Sequence, residues 1–387
     1  QRQMCIRDSI YRKEVYNKTG ELVSTSGNLS ITTGRVGGTI TLDTTWTAAT
    51  SPYDLTSIVK VSDDVTLTIE PGVTVNVHRY GSIEVYGTLH ADDALFQSSG
   101  ETSVCSTIKF HESDNSVIKN CVFNFGECPI CNDAISASGC NNLQLIGNSL
   151  NYTAYYTGYY NYWIISISSS DNSVISDNII TASGYMHGIR ISGEGRNNLI
   201  ARNNISVEGM GSYGDCCIYL YNSDNTITEN TLKGDILVST GASGNTITYN
   251  TITGGIHAAE WWGGRNNSII SYNIIEGEDG CIRWEGSNNI ISHNVISDSD
   301  DYGILVEGGS DNVITNNVVS NCYMGIKCYT DNTIIEDNLV SDNRRGGIYL
   351  DWGSSCTVKS NTVLNCSESS GISLSDSSNN VIMDNTI

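Results

Sequence analysis

The sequence predicts an all-β solenoid: about twelve short coils stacked on one axis, preceded by an N-terminal β cap. Three observations carry this. The composition, with 38 Gly, 3 Pro and only 16% charged residues, suits short strands joined by tight turns and disfavours long helices. A phrase recurs: DNTITENTLKG at 224–234 returns as DNVITNNVVSN at 311–321. Aligned on its second Asn, it gives Asn148, Asn178, Asn203, Asn230, Asn250, Asn273, Asn294, Asn317, Asn338, Asn361 and Asn385, with Cys121 in the same slot one repeat earlier, at spacings of 20 to 30 residues. Finally, the residue three before the slot and the residue two after it are apolar in every copy, as in Ile227 and Leu232 around Asn230.

A second phrase lies between the copies: GIRI at 188, CIYL at 217, DILV at 235, CIRW at 281, GILV at 303, GIKC at 325, GIYL at 347 and GISL at 371. Each repeat thus supplies three short alternating segments, and none can bury its apolar side alone. Stacking one repeat per coil brings equivalent residues to about 4.8 Å and turns each Ile column into a continuous interior. The Asn slot then marks an inward bend, where an amide can bond the turn and the next Asn in a ladder. On these columns the chain resembles the right-handed parallel β-helix proteins of the pectin-lyase-like superfamily over roughly residues 101–387. The resemblance implies a fold and no single activity. A leucine-rich-repeat horseshoe is the competing solenoid, but repeats of 20 to 23 residues leave no room for its helix.

Residues 1–9, QRQMCIRDS, resemble translated sequencing-adapter DNA and are set aside, and 10–28 read as a linker or leader remnant. Residues 29–100 lack the repeat and read as the β cap, as in TLTIEPGVTV and GSIEVYGTLHA; 101–387 is the solenoid. Ile387 falls at an interior position, so a longer polypeptide is expected. The formal charge of -22 disfavours nucleic acid and anionic surfaces, and no apolar run of about 18 residues suggests membrane insertion. Oligomeric state has no signal in the sequence.

A solenoid supplies its own control, because each outward column can be compared with the others. Beside the Asn slot the columns are bland. The GI strand differs. Its first outward column reads Arg190, Tyr219, Leu237, His257, Arg283, Leu305, Lys327 and Tyr349; its second includes Glu285, Glu307, Tyr329 and Asp351. Glu285 and Glu307 fall in one column of consecutive coils, on the order of 5 Å apart, a separation near that of retaining glycosidases. Arg283 and Lys327 flank them, His257 precedes them, and Asp279 and Asp301 align at the strand entrance. EDGCIRW and SDDYGILV are similar to the acidic coil of polygalacturonases, but the Gly-His-Gly and Arg-Ile-Lys motifs expected downstream are absent, as is the Asp-Pro-His-Glu motif of alginate epimerases. The bland alternative is a solvated face of an acidic protein.

Aromatic residues give a second lead. NYTAYYTGYYNYWI at 151–164 reads as a loop thrown out from the coil, and GIHAAEWWGGRNN adds Trp261 and Trp262; flat rings of this kind stack on sugars or on each other. Trp284 falls in an inward column and reads as core. Cys121, Cys128, Cys131 and Cys140 have a spacing that fits disulfides or a metal, with disulfides favoured in a secreted setting. The expected function is a secreted or surface β-helix that binds, and in one version hydrolyses or lyses, an extracellular polysaccharide. Catalytic candidates are Glu285, Glu307, Asp279, Asp301, Arg283, Lys327 and His257, with Arg190, Tyr219, Trp261, Trp262, Tyr329, Tyr349 and Asp351 binding substrate. No metal ligand set or cofactor is assigned, although Ca2+ would suit the acidic entrances. The competing classes are a non-catalytic structural or adhesin-type β-helix and a copper-delivery β-helix, the latter disfavoured by the scarcity of His and Met.

Overall fold

A computed structural model of the chain describes residues 14–16, 22–25, 28–32 and 35–387, apart from 100–103, 106–107, 129, 132, 155–161, 210–214, 259–264, 278–279 and 368–369. The chain winds into a right-handed parallel solenoid of about 13 turns. A typical turn carries three strands, Ile290–Ser292, Val295–Ser297 and Tyr302–Ser310. Each pairs in parallel with its counterpart in the coils above and below. One sheet runs through 15 strands from Thr44–Trp46 to Val381–Met383. Parallel stacking therefore already includes residues 44–98, reached through the antiparallel pair Asn28–Thr32 and Arg35–Ile40.

The interior is the predicted pair of aliphatic stacks. Ile227, Ile247, Ile270, Ile291, Ile314, Ile335 and Val358 follow one another in register, as do Leu232, Ile252, Ile275, Ile296, Val319, Val340 and Val363. All are buried. Trp284 is fully buried as expected, beside Val306 in register, and its indole Nε1 donates to the Arg265 carbonyl at 3.3 Å.

The Asn ladder runs unbroken from Asn148 to Asn385. In each rung the Asn Oδ1 accepts from the backbone N–H and from the side-chain amide of the preceding Asn, as Asn273 does from Asn250 at 3.0 Å each. The second amide hydrogen goes back one coil, from Asn273 Nδ2 to the Ile247 carbonyl at 2.9 Å. Both sides of the amide are thus used in a place water does not reach. A second ladder, not foreseen, lines the other end of the same strand: Asn198, Asn225 and Asn245 bond in series, and Asn289 bonds Asn312. The residue before each Asn is left-handed, Asp224 at φ 59° and Glu229 at φ 57°. A non-glycine residue there costs roughly 1–2 kcal/mol, and the ladder bonds that follow offset it.

The expected disulfides are corrected at two positions. Cys121 and Cys140 are free, buried thiols. Cys121 takes the Asn slot and its N–H donates to Asn148 Oδ1, while Cys140 occupies another bend and its N–H donates to Ser170 Oγ, both at 2.9 Å. Their thiols donate to the carbonyls of Lys119 and Ser138. Burial pushes Cys121 up to about 12, so it holds its proton. The side chains of Cys128 and Cys131 lie outside the described residues.

Candidate functional site

Parallel pairing brings most of the predicted face together. His257, Arg283, Leu305, Lys327 and Tyr349 form one column in register. Glu285, Glu307 and Tyr329 form the next. Outward side chains of successive coils are obliged to be neighbours, because the strand spacing of about 4.8 Å is shorter than their own length.

The charges are paired across coils. Arg283 sends Nε and Nη2 to the same Glu307 oxygen, each at 2.9 Å. Glu285 meets Arg265 Nη1 at 3.2 Å. Arg265 is wholly buried and also donates Nε to the Val238 carbonyl at 2.7 Å. Lys327 Nζ stands 4.4, 5.1 and 5.5 Å from the ring centres of Tyr329, Tyr349 and Tyr302, and 3.7 Å from Asp351 Oδ2. Burial alone would lower the Lys327 pKa; the Tyr329 hydroxyl, Tyr302 and Asp351 together hold it above the ordinary lysine value. His257 Nε2 lies 2.9 Å from the Gly280 carbonyl, which fixes that nitrogen as the donor. Asp301 is exposed at the strand entrance beside Tyr302, and its neighbour Asp300 pairs with Arg344 at 3.1 Å.

Two predicted residues stand elsewhere. Arg190 lies four coils away from Arg283, about 19 Å along the axis, where it bonds Ser166 Oγ and faces Asp133 at 3.8 Å. Tyr219 keeps its place in the outward column but is fully buried there, packed with Trp163, Cys216 and Leu237 and against the Tyr221 ring at 4.0 Å. It offers no surface to a ligand, because these coils carry a second small apolar cluster on their outer side. Trp261, Trp262 and Asp279 lie outside the described residues. Of the aromatic-rich stretch at 151–164, Tyr152 in strand Ser149–Ala154 is buried in the main core and Trp163 in strand Tyr162–Ser168 is buried in the second cluster.

Sequence reasoning missed Arg265, Tyr302 and Asp133. Arg265 lies in a turn between repeats, where no column predicts an inward cation. Tyr302 stands just before the GI phrase and was hidden by it. Asp133 is raised above the usual carboxylate range by burial, against the opposing pull of the Trp163 N–H and Arg190. Nearby, His187 is buried against Trp163, and burial lowers its pKa to about 4. Between the ordinary 6.5 and about 4 the unfolded chain therefore binds more protons than the folded one. The stability present above pH 6.5 declines as the pH falls, by roughly 3 kcal/mol at the lower limit. A His187→Leu chain is expected to lose that slope, read as the difference in urea midpoint between neutral and mildly acidic buffer; an unchanged slope would place the acid sensitivity elsewhere.

Residues 243–387 match the family described as periplasmic copper-binding protein (NosD). Among solved structures, the periplasmic alginate epimerase AlgG is 11% identical, with 93% of this chain and 80% of that one covered and a TM-score of 0.36. The tailspike of E. coli bacteriophage HK620 in complex with pentasaccharide is 12% identical, at 84% and 72% coverage and a TM-score of 0.48. The Azotobacter vinelandii mannuronan C-5 epimerase A-module is 13% identical, at 83% and 88% coverage and a TM-score of 0.35. No curated protein matches. The register of the strands and the ladders decides the class. This chain is a right-handed parallel β-helix. Copper, named in the description of the matched family, finds no ligand set in this β-helix among the described residues: no three His, Cys, Asp or Glu side chains stand together so as to hold a metal ion. The buried thiols of Cys121, Cys140, Cys322 and Cys356 instead donate to backbone carbonyls.

Proposed function

We propose that this β-helix binds a polysaccharide along the face built by the strands Ile282–Glu285, Tyr302–Ser310, Met324–Asp331 and Gly346–Asp351. One observation carries the reading: four consecutive coils of this face gather two glutamates, an arginine, a caged lysine, three tyrosines and an aspartate. The strand columns flanking the Asn slot are mostly Thr, Ser and aliphatic, with Glu336 and Lys359 pairing with each other, and the turn before the slot adds the Tyr249–Tyr272–His293 stack in neighbouring coils. Such a face offers ring surfaces for the C–H side of sugars and fixed oxygens for their hydroxyls. A chain-like ligand also fits a site that repeats at about 4.8 Å per coil.

Binding is favoured over cleavage. Glu285 and Glu307 are in the register a hydrolytic pair would need, but each is engaged by its own guanidinium. Hydrolysis requires one of them to leave that partner and carry a proton to the leaving group. The proposed location is outside the cytoplasm, in keeping with the periplasmic family matched by residues 243–387.

Affinity electrophoresis against immobilised glycans tests the reading. Tyr329→Ala and Lys327→Ala are each expected to weaken retention by about tenfold, with circular dichroism unchanged; equal retention would remove this face from the binding surface. Release of new reducing ends or unsaturated products by the wild-type chain, lost in Glu285→Gln and Glu307→Gln, would establish cleavage instead.

A further inference from the structure

The charge arrangement of the same face narrows what it takes. We infer that its ligand is an uncharged polysaccharide, an inference that rests on the binding face proposed above.

An anionic polysaccharide is held by cations that face outward with donors to spare, commonly arginines that grip carboxylate or sulfate in a bidentate fork. Here the cations of the face are already engaged by the protein's own carboxylates. Arg283 has turned both Nε and Nη2 onto Glu307. Arg265 is entirely below the surface and paired with Glu285. Lys327 has only 11% of its side chain exposed, closed in by three tyrosine rings and Asp351. At the rim Arg344 meets Asp300, and Arg345 lies over the Tyr323 ring. A uronate arriving at this face would compete with Glu307 for Arg283 and with Asp351 for Lys327, weakening pairs the protein has already formed. It would do so against the field of a chain with formal charge -22.

A neutral sugar meets none of these obstacles. Carboxylates held in place by guanidinium groups remain good acceptors for sugar hydroxyls, because each oxygen has more than one lone pair. The tyrosines around Lys327 add hydroxyl donors and ring edges. Ion pairing here therefore serves to orient acceptors, and the Arg283–Glu307 and Lys327–Asp351 pairs are positioning pairs for hydroxyl recognition.

The experiment is a binding panel read by isothermal titration calorimetry on the whole chain. Neutral oligosaccharides from xylan, galactan, arabinan, glucan and mannan are compared with oligogalacturonate and oligoalginate, in EDTA and again with added calcium. At least one neutral glycan is expected to bind about tenfold tighter than either acidic one, with little change between low and physiological salt. Glu307→Gln, which frees Arg283, is expected to raise affinity for oligogalacturonate by about threefold or more while weakening the neutral ligand. Acidic glycans that bind as tightly as neutral ones, with or without calcium, overturn the assignment of class and leave the binding face standing. Absence of binding by every member of both classes overturns the face itself, and the class with it.

Discussion

Asn273→Ala is expected to be among the most damaging single changes in this chain. The substitution removes four hydrogen bonds at once: two accepted from Asn250, one donated to the Ile247 carbonyl and one donated to Asn294. Asn273 is fully buried, so water does not replace them. The Asn250 N–H and the Ile247 carbonyl are left without these partners, at about 1–3 kcal/mol for each orphaned group, giving a loss on the order of 3–5 kcal/mol. The left-handed residue before the slot, Tyr272 at φ 58°, adds its strain once the bonds that fix it are gone. The exposed neighbour Thr251→Ala, by contrast, should stay within about 0.5 kcal/mol. Because a solenoid opens locally as well as globally, the sharper readout is hydrogen exchange at the Asn250 amide. Its protection should fall by about two orders of magnitude or more, and an unchanged rate would show that the turn holds without the ladder.

The second large effect is expected at Arg265. Arg265→Met keeps the bulk of the side chain but removes the donor to the Val238 carbonyl and the cation facing Glu285. Breaking a buried pair from one side leaves a charge without compensation, which costs roughly 3–5 kcal/mol. The double variant Arg265→Met/Glu285→Gln removes that charge as well and is expected to recover about half of the loss in urea denaturation. The two changes would then couple by more than about 1 kcal/mol in a double-mutant cycle. Additive single effects would mean that the Arg265 side chain acts through the Val238 carbonyl rather than through Glu285, and that Glu285 is held by other contacts.

The scaffold was legible because a solenoid writes its contacts into its spacing. Ile227 and Ile247 are 20 residues apart and directly paired, so a period in sequence becomes a neighbour in space. The phrase DNTITENTLKG even contains both ladders, through Asn225 and Asn230, but only the second has an Asn in every coil from Asn148 onward. Asn225 was overlooked because Ser and Thr replace it in several coils, as at Ser268 and Thr333, and these smaller groups blur the column. The pairing of Glu285 with Glu307 followed from the same arithmetic and appears in the register.

What the sequence determined is the repeat, the inward columns and the face on which the irregular residues collect, since all of these depend on strand period alone. The partners of the charged side chains were decided only by the tertiary structure. Register places two Cα atoms side by side, but long side chains reach across columns and out of turns, and the turns have no period. Arg265 enters from such a turn to meet Glu285, and Tyr302 leans from the strand entrance over Lys327. Tyr219 follows the outward column as predicted and is nonetheless buried, because neighbouring coils fold Trp163 over it. Burial depends on what covers a face, and that is a property of the stacked coils together.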